Sequence, residues 1–459
     1  MTKGIILTSS KLLKHWGCVL QTKAKARKRA YQAYTIRNIG DLPQYANLSS
    51  EAKEVIQVTA RVLPFRVNNY VCDELIDWRN IPADPIFQMT FPQKGMLAES
   101  DFHLLRGMMR GKASDRELAN VANDIRYRMN PHPAGQLEHN VPMQAGVPVK
   151  GVQRKYRETA LFFPSSGQTC HAYCTYCFRW AQFIGVQELR FAAQKTNRLT
   201  EYLLSQKDIS DLLITGGDPL VMRAKVLRSY IEPILISELE HVRNIRIGTK
   251  SVAYWPQRFV SDSDADDLLR LFEQIVHSGR HVSVMAHYSH PRELGTSMAR
   301  QAIKRLRAAG CEIRMQAPLI RHVNDNYQSW VTLWSEGVNL GLIPYYMFVE
   351  RDTGPRNYFE VPLARAYGLY RQAYQQVSGL ARTVRGPSMS AEPGKVCIEG
   401  IAEMSGKKVF VLSFIQARKR DLVRRPFFAE YDAQATWLDQ LKPAFAENSR
   451  VWSFITNPI

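Results

Sequence analysis

Three of the chain's seven cysteines stand close together, as Cys170, Cys174 and Cys177 in the segment QTCHAYCTYCFRW. The other four are far apart, and scattered cysteines in a chain of this size do not indicate a disulfide framework. Metal binding or catalysis is the better interpretation. Three thiolates on one short loop can hold a four-iron four-sulfur cluster and leave one iron open to a small molecule. A zinc site is the alternative, and it requires a fourth ligand from His171 or a distant cysteine.

A second segment, TGGDPL from Thr215 to Leu220, follows an apolar run and carries two adjacent glycines. Gly216 and Gly217 leave backbone N–H and C=O groups uncovered, which suits the ammonium and carboxylate of a bound amino acid. Asp218 either shapes this loop or is an ordinary turn aspartate. The glycine pair alone is weak evidence for such a binding site. The evidence becomes strong because the cysteine cluster follows the preceding predicted strand of the same barrel.

The elements that position these residues are short apolar runs that alternate with helix-like stretches. The runs are TALFF, DLLIT, IRIGT, HVSVMAH, CEIRMQ and PYYMFV. Such alternation predicts a parallel sheet with right-handed crossovers, and six units suit an open or a closed barrel. We expect an α/β fold with a partial (β/α)6 barrel of the TIM type. The active sites of these barrels lie at the carboxyl ends of the strands. The cysteines follow the first predicted strand and TGGDPL follows the second, so both lie at that rim.

We expect the barrel to occupy residues 151–385. Residues 1–150 are predicted to form a mostly helical region with a basic arm, and residues 386–459 a C-terminal segment. In that segment GKVCIEGIAEMSGKKVFVLSF alternates in the β sense around Gly406. The pattern predicts a β-hairpin, which could cap the mouth of the barrel.

Composition describes a basic globular protein, with a net charge of +19 and 45% hydrophobic residues. Its apolar stretches fall short of the roughly 18 residues that a membrane helix needs. The start of the chain offers no secretory cleavage site, so we expect a cytoplasmic protein with reduced thiols. The positive charge indicates nucleic acid, a phosphorylated cofactor or another anionic partner. The basic arm is either a solvated helix or a docking element.

Further segments extend the match to a known family. The sequence resembles the radical S-adenosylmethionine superfamily and, within it, the lysine 2,3-aminomutase family, over roughly Leu63 to Lys395. The matching segments are LPFRVNNYV, CHAYCTYCFRW, TGGDPL, IRIGTKSVAYWPQR, HYSHPREL, HVNDN and PYYMF.

The resemblance implies both a reaction and its cofactors. The open iron binds S-adenosylmethionine, and the reduced cluster cleaves this cofactor to a 5'-deoxyadenosyl radical. With pyridoxal 5'-phosphate, the amino group of an amino acid then moves from Cα to Cβ. The implied partners are a small amino-acid substrate and an electron donor such as flavodoxin or ferredoxin. A homo-oligomer is a further expectation.

Individual residues match positions with known roles in the family. Arg179 matches the arginine that grips the substrate α-carboxylate, although it could be an ordinary surface arginine. Lys395, in EPGKV, matches the lysine that forms a Schiff base with pyridoxal phosphate, although many Gly-Lys pairs are turn residues. His287 and Gln316, at the ends of predicted strands four and five, match positions that line the S-adenosylmethionine pocket.

The phosphate-binding positions depart from the family pattern. Lys155 and Tyr156 replace an Arg-Tyr pair, and Thr159 stands where another arginine is expected. Arg154 and Arg157 are nearby candidates for the missing positive charge.

The substrate-binding positions leave the amino acid open. Members of the family that use lysine place two aspartates where they hold its distal ammonium, and Asp325 matches the first. At the second position VERDTG offers Arg351 without a gap or Asp352 with one. An arginine favours an acidic or neutral substrate, whereas an aspartate favours lysine.

Two other functions stay open at this point. One is a radical enzyme of the same fold that acts on another substrate without pyridoxal phosphate. The other is a basic nucleic-acid-binding protein in which the cysteines hold zinc and the arm contacts phosphates. The second needs a fourth ligand near the trio, and it does not explain TGGDPL or the six strand-helix units.

Overall fold

The structure is a computed structural model that describes residues 30–137, 139–446 and 449–456. Most of the predicted basic arm therefore lies outside the described residues. Before the central sheet the described chain contains five α-helices joined by irregular segments. The helices there are α1 (Pro43–Ala46), α2 (Ser50–Thr59), α3 (Pro85–Thr90), α4 (Glu99–Arg110) and α5 (Asp115–Arg128). Two antiparallel pairs accompany them: β1 (Ala33–Thr35) with β2 (Arg66–Asn68), and β3 (Met143–Gln144) with β4 (Val147–Pro148).

Helices α4 and α5 pack through one apolar face each. The start of α5 is fixed by a capping box, in which Ser114 accepts the backbone N–H of Glu117 and the Glu117 carboxylate accepts that of Ser114. Residues at helical spacing on both helices form one small core, made by Phe102, Leu105, Leu118, Ala122 and Ile125.

A sheet of eleven strands forms the centre of the molecule, and the strands follow one another in chain order. They are β5 (Val152–Tyr156), β6 (Thr159–Phe162), β7 (Asp211–Ile214), β8 (Asn244–Thr249), β9 (His281–His287), β10 (Glu312–Leu319), β11 (Ile343–Val349), β12 (Arg385–Ser390), β13 (Gly394–Met404), β14 (Lys407–Ala417) and β15 (Pro426–Glu430). Strands β6 to β12 run parallel, whereas β5 and β13 to β15 pair antiparallel with their neighbours. The chain is therefore a mixed α/β protein, as predicted.

Helices connect the successive parallel strands. They are α6 (Asn197–Ser205), α7 (Ala224–Ile231), α8 (Ser251–Tyr254), α9 (Ala265–His277), α10 (Arg292–Gly295), α11 (Ser297–Ala308), α12 (Tyr327–Asn339), α13 (Arg356–Phe359) and α14 (Leu363–Gln375). Helix α15 (Ser449–Thr456) follows the sheet. In α9, Leu268, Leu271 and Ile275 recur at intervals of three and four and are buried. This spacing turns one apolar face toward the sheet, which explains how each crossover contributes to the core.

All six strands predicted from the apolar runs are present, as β6 to β11. Strands β5, β12 and β15 were not predicted. The sequence of β5, VQRKY, has no apolar run, and RGPSMS in β12 is made largely of residues that are poor strand formers. Lys155 and Tyr156, expected in the segment before the first strand, therefore lie on a strand of their own beside it. The domain boundaries at residues 150 and 385 stay a prediction.

The predicted hairpin consists of β13 and β14. Its turn residues, Ser405 and Gly406, have φ angles of +51° and +72°, values of the type I′ turn that favours glycine at its second position. The hairpin is not a separate cap, because β13 pairs with β12 and extends the central sheet. Lys395 is the second residue of β13, so the strand that extends the sheet also carries this lysine.

Candidate functional site

A cavity of about 350 Å³ lies at the carboxyl ends of the parallel strands, and we call it the carboxyl-end cavity. It brings together most of the residues singled out in the sequence. The predicted residues that line it are Lys155, Tyr156, Cys170, Cys174, Cys177, Arg179, Gly216, Gly217, Asp218, His287, Gln316 and Lys395. Residues separated by up to 240 positions in the sequence thus line one cavity. Those that follow the parallel strands lie where the rule for such strands predicts, whereas Lys155 and Lys395 come from the antiparallel strands β5 and β13.

The cysteine loop leaves β6 and is held in place by the N-terminal region. Arg66 donates through Nη1 to the hydroxyl of Thr169 at 2.7 Å and to the carbonyl of Cys170 at 3.3 Å. The backbone N–H of Tyr173 donates to the carbonyl of Arg66, and that of Thr175 to Met89. The N-terminal region therefore fixes the backbone that presents the three thiols.

Burial raises the pKa of all three thiols, that of Cys177 to about 12. Burial outweighs the nearby Arg66, Lys250 and Arg179, so the free thiols stay protonated and are poor nucleophiles. Such thiols suit metal binding, in which the metal stabilises the thiolates, better than nucleophilic attack.

Within the described ranges, no three His, Cys, Asp or Glu side chains are placed to hold a single metal ion. His171, considered above as a fourth zinc ligand, is buried and bonds through Nδ1 to the hydroxyl of Ser251 at 2.9 Å. In a four-iron cluster each thiolate binds a different iron, so the sulfurs need not converge on one point. The donor set fits such a cluster better than a zinc ion.

The glycine loop packs directly on the cysteine loop. A Cβ at Gly217 would lie 2.5 Å from the carbonyl oxygen of Thr169, so no other residue fits without moving the backbone. Gly216 has a φ of +152°, a conformation that L residues rarely adopt. The backbone N–H of Asp218 donates to the carbonyl of Thr169 at 2.7 Å. The two glycines thus serve the close approach of two loops as well as an open backbone.

The Asp218 carboxylate is occupied by the protein itself. It accepts hydrogen bonds from the backbone N–H of Leu220 and Lys250 and from the hydroxyls of Thr249 and Ser251, all between 2.8 and 2.9 Å. Burial raises its pKa, and these donors oppose the shift. Asp218 therefore fixes the glycine loop, which is the first of its two interpretations.

His287 and Gln316 meet at the ends of neighbouring strands, with 3.1 Å between their Nε2 atoms. Burial, together with Lys250, lowers the pKa of His287 to about 3, so the ring is neutral. Lys250 also lines the cavity and pairs with Glu293 at 2.7 Å. Sequence analysis did not single out Lys250, although its place directly after a predicted strand was the signal.

Lys395 lies in the same wall in an aromatic setting. Its Nζ donates to Oε1 of Gln416 at 3.2 Å and stands 4.2 Å from the ring centroid of Tyr346. Burial, together with Arg246 and Arg385, lowers the pKa of Lys395 to about 7. A large part of this amine is therefore neutral near pH 7, which is the form that attacks a carbonyl carbon.

The candidates for phosphate binding separate into two groups. Lys155 and Tyr156 line the cavity, and Lys155 donates to the carbonyl of Ala391. Arg154 instead bonds to Gln206 at 2.5 Å, and Arg157 to Asp208 at 2.7 Å. The structure thus brings the matched pair to the cavity and turns the two nearby arginines away from it.

The structure also separates the substrate candidates. Asp325 pairs with Arg365 at 3.2 Å, and Asp352 accepts a hydrogen bond of 3.4 Å from Asn130. Neither aspartate is among the cavity-lining residues, whereas Arg351 is. Of the two residues offered at the second substrate position, the arginine faces the site.

A second cavity, of about 470 Å³, lies at the amino ends of the same strands, and we call it the amino-end cavity. Its lining includes Asp211, His281 and Arg314. Arg246 and Tyr345 line both cavities and form a shared wall. None of the residues predicted to bind a substrate or cofactor lines this second cavity.

Comparison with known proteins finds relatives that are named lysine 2,3-aminomutases. A provisionally named L-lysine 2,3-aminomutase of Aquifex aeolicus is 29% identical over 415 residues, 90% of this chain and 96% of that protein. The L-lysine 2,3-aminomutase of Fusobacterium nucleatum is 24% identical over 346 residues, 75% and 70% of the two chains. That of Bacillus subtilis is 21% identical over 383 residues, 83% and 71%. No family model matches the chain.

Among solved structures, Streptococcus suis SuiB bound to S-adenosylmethionine aligns over 60% of this chain and 57% of that chain, with 11% identity and a TM-score of 0.35. The sequence relatives confirm that the chain resembles enzymes of the radical S-adenosylmethionine class. They also confirm that, within this class, the chain resembles the lysine 2,3-aminomutase family. The chain is therefore an enzyme of the aminomutase type. No helix in the described part of the chain is long and apolar enough to cross a membrane.

Proposed function

We propose that this enzyme moves the amino group of an amino acid from Cα to Cβ by radical chemistry. One observation carries the proposal: the cysteine loop, the glycine loop and Lys395 line a single cavity. The cluster, S-adenosylmethionine and pyridoxal phosphate supply the radical and carry the migrating amino group when they are bound. The chain itself binds these groups, orients the substrate and excludes water.

Three thiols are proposed to hold the cluster, those of Cys170, Cys174 and Cys177. The backbone of Gly216 and Gly217 lies beside them and is proposed to bind the amino-acid end of S-adenosylmethionine. His287 and Gln316 are proposed to line the remainder of its site. The neutral ring of His287 suits a sulfonium cofactor, because it adds no positive charge near the sulfur.

Pyridoxal phosphate is proposed to bind beside Lys395 in the same cavity. A neutral Lys395 amine can attach it covalently, and the ring of Tyr346 offers an apolar surface beside that amine. Lys155 and Tyr156 are proposed to bind the phosphate. Arg179 lines the same cavity and is proposed to grip the substrate α-carboxylate through its planar guanidinium.

The partial (β/α)6 barrel is part of the same proposal. Six helical connections join seven parallel strands in chain order, which supports a barrel that is wound in one direction. A hydrogen bond from Lys155 on β5 to Ala391, after β12, links the two ends of the parallel part. A reductant of the flavodoxin or ferredoxin type and a homo-oligomer stay predictions.

The proposal is tested by supplying the anaerobically reconstituted protein with S-adenosylmethionine, pyridoxal phosphate, dithionite and a panel of amino acids. The expected product is a β-amino acid, identified by chromatography and mass spectrometry. Cleavage of S-adenosylmethionine without any β-amino acid would instead favour the enzyme without pyridoxal phosphate.

A further inference from the structure

Two arginines stand close together in the carboxyl-end cavity. Arg179 follows the cysteine loop and Arg351 follows β11, and both line the cavity. The ring of Phe178 contacts both: its centroid is 5.0 Å from the guanidinium carbon of Arg179 and 5.4 Å from that of Arg351. Two positive charges are therefore presented side by side on one aromatic platform.

Neither guanidinium has its hydrogen-bonding capacity satisfied by the protein. The Nε and Nη2 atoms of Arg351 are buried and have no hydrogen-bond partner. Its nearest recorded carboxylate contact is with Asp352, at 3.7 Å from Nε, which is too long for a hydrogen bond. For Arg179, no ion pair exists among the described residues. Arg351 thus has one long ion pair and two buried nitrogens without a hydrogen bond, which is costly, so this arrangement indicates a ligand with negative charge.

The cavity offers no counterpart for a positively charged side chain. The carboxyl groups among its described lining residues are those of Asp218 and Glu350. Asp218 is taken up by hydrogen bonds to the protein, and burial raises the pKa of Glu350 well above its usual range. Asp325 is paired with Arg365 away from the lining.

We propose that Arg351 binds an anionic group in the side chain of the substrate while Arg179 binds its α-carboxylate. This inference rests on the proposed function and gives it a substrate class: an acidic amino acid such as glutamate or aspartate, not lysine. The two guanidiniums act as a pair of anchors that place the carbon chain between them.

The phosphate of pyridoxal phosphate is the other anion that Arg351 could hold, because Arg351 is close enough to Lys155 to lower its pKa. The test therefore separates the two sources. L-Glutamine is a neutral isostere of L-glutamate. The difference between their affinities therefore measures how strongly the protein binds the negative charge of the glutamate side chain.

Calorimetric binding to the cluster-loaded protein without pyridoxal phosphate gives the first readout. We expect L-glutamate to bind about 10- to 100-fold more tightly than L-glutamine, and Arg351→Gln to remove that difference. Arg314→Gln makes the same change of charge in the amino-end cavity and is the matched control, so it should keep the preference. Equal affinities for both amino acids in the wild-type protein would overturn the proposal.

Titration with pyridoxal phosphate, followed by its absorbance, gives the second readout. Unchanged affinity for the cofactor in Arg351→Gln is expected. Weakened cofactor binding with an intact glutamate preference would assign Arg351 to the phosphate and overturn the proposal.

Turnover by the complete enzyme gives the third readout and separates two kinds of failure. The wild-type enzyme could prefer L-lysine, and this preference could be lost in Glu350→Gln but kept in Arg351→Gln. That result would overturn the proposed acidic substrate but would leave the proposed shift of the amino group intact. If no amino acid is converted, the proposed function fails, whereas the binding preference still decides the role of Arg351.

Discussion

The two ends of the parallel sheet carry similar residues in different states of pairing. In the amino-end cavity Arg314 contacts Glu312 at 2.5 Å and Arg246 contacts Asp211 at 3.5 Å. In the carboxyl-end cavity Arg351 has one long ion pair, with Asp352 at 3.7 Å, and two buried nitrogens without a hydrogen-bond partner. Arg179 has no ion pair among the described residues. Both ends therefore contain ion pairs, and at the carboxyl end Lys250 also pairs with Glu293. The difference is that the protein bonds Arg179 and Arg351 less fully, at the end where loops converge. Guanidinium groups with unused hydrogen-bonding capacity mark the end that binds ligands.

Substitution of a cysteine in the carboxyl-end cavity should have the largest effect. We expect Cys174→Ala to lose most of its bound iron and all cleavage of S-adenosylmethionine, because three thiolates are the minimum that holds the cluster. Cys311→Ala is the matched control, since Cys311 is also buried but lies before β10 at the amino end. Iron analysis checks both variants, and equal iron contents would contradict the assignment.

Lys395→Ala tests the proposed attachment of pyridoxal phosphate in the carboxyl-end cavity. The variant should lack the visible absorbance of lysine-bound pyridoxal phosphate, because no other lysine has an amine in the same position. Iron content should match that of the wild-type protein, which shows that the fold is intact. A wild-type spectrum in the variant would place the cofactor on another residue.

Arg179→Gln should lower kcat/KM by roughly 100-fold, as expected when a charge-assisted bond to a buried carboxylate is lost. Steady-state kinetics with the preferred amino acid measures the loss. Cleavage of S-adenosylmethionine without substrate should persist in the variant. An unchanged KM and kcat would remove Arg179 from the substrate site.

The pH dependence of cofactor attachment to Lys395 should respond to Arg246, which lines both cavities. Since the pKa of Lys395 is lowered to about 7, its amine is protonated and unreactive below that pH and neutral above it. The rate of attachment should therefore rise with pH and level off above about pH 8, whereas an ordinary lysine would continue to gain up to about pH 10. Arg246→Gln removes a positive charge from the shared wall, so the midpoint should move upward. A midpoint near 10 in the wild-type protein would contradict the environment described for Lys395.

Arg314→Gln should have the smallest effect. Its ion pair with Glu312 is partly exposed, so the free energy of unfolding should fall by less than about 1 kcal/mol. Turnover should stay within about twofold of wild type, because the residue does not contact the carboxyl-end cavity. Denaturant unfolding and kinetics check these values, and a large loss of turnover would give the amino-end cavity a role in the reaction.

Sequence patterns predicted the part of the molecule in which strands and helices alternate regularly. Alternating apolar runs predicted β6 to β11, and the order of the first two of these strands predicted that Cys170 and Gly217 lie at one rim. Lys395 was identified only through the resemblance to the family. Strand β12 was missed because RGPSMS is held in the sheet by pairing with its neighbours rather than by its own propensity.

Side-chain direction was the second limit of sequence reasoning. Arg351 and Asp352 are adjacent, and only the fold decides which of them faces the cavity. Asp325 matches a family position by order in the chain, but its neutralisation by Arg365 depends on α14, which the motif does not include.

The central claim is that three thiolates hold an iron-sulfur cluster with one iron free to bind S-adenosylmethionine. The most direct measurement is the yield of 5'-deoxyadenosine and methionine from anaerobically reconstituted protein after reduction with dithionite. The account predicts cleavage by the wild-type protein and none by Cys174→Ala. Full iron loading without cleavage, or zinc in place of iron, would contradict it.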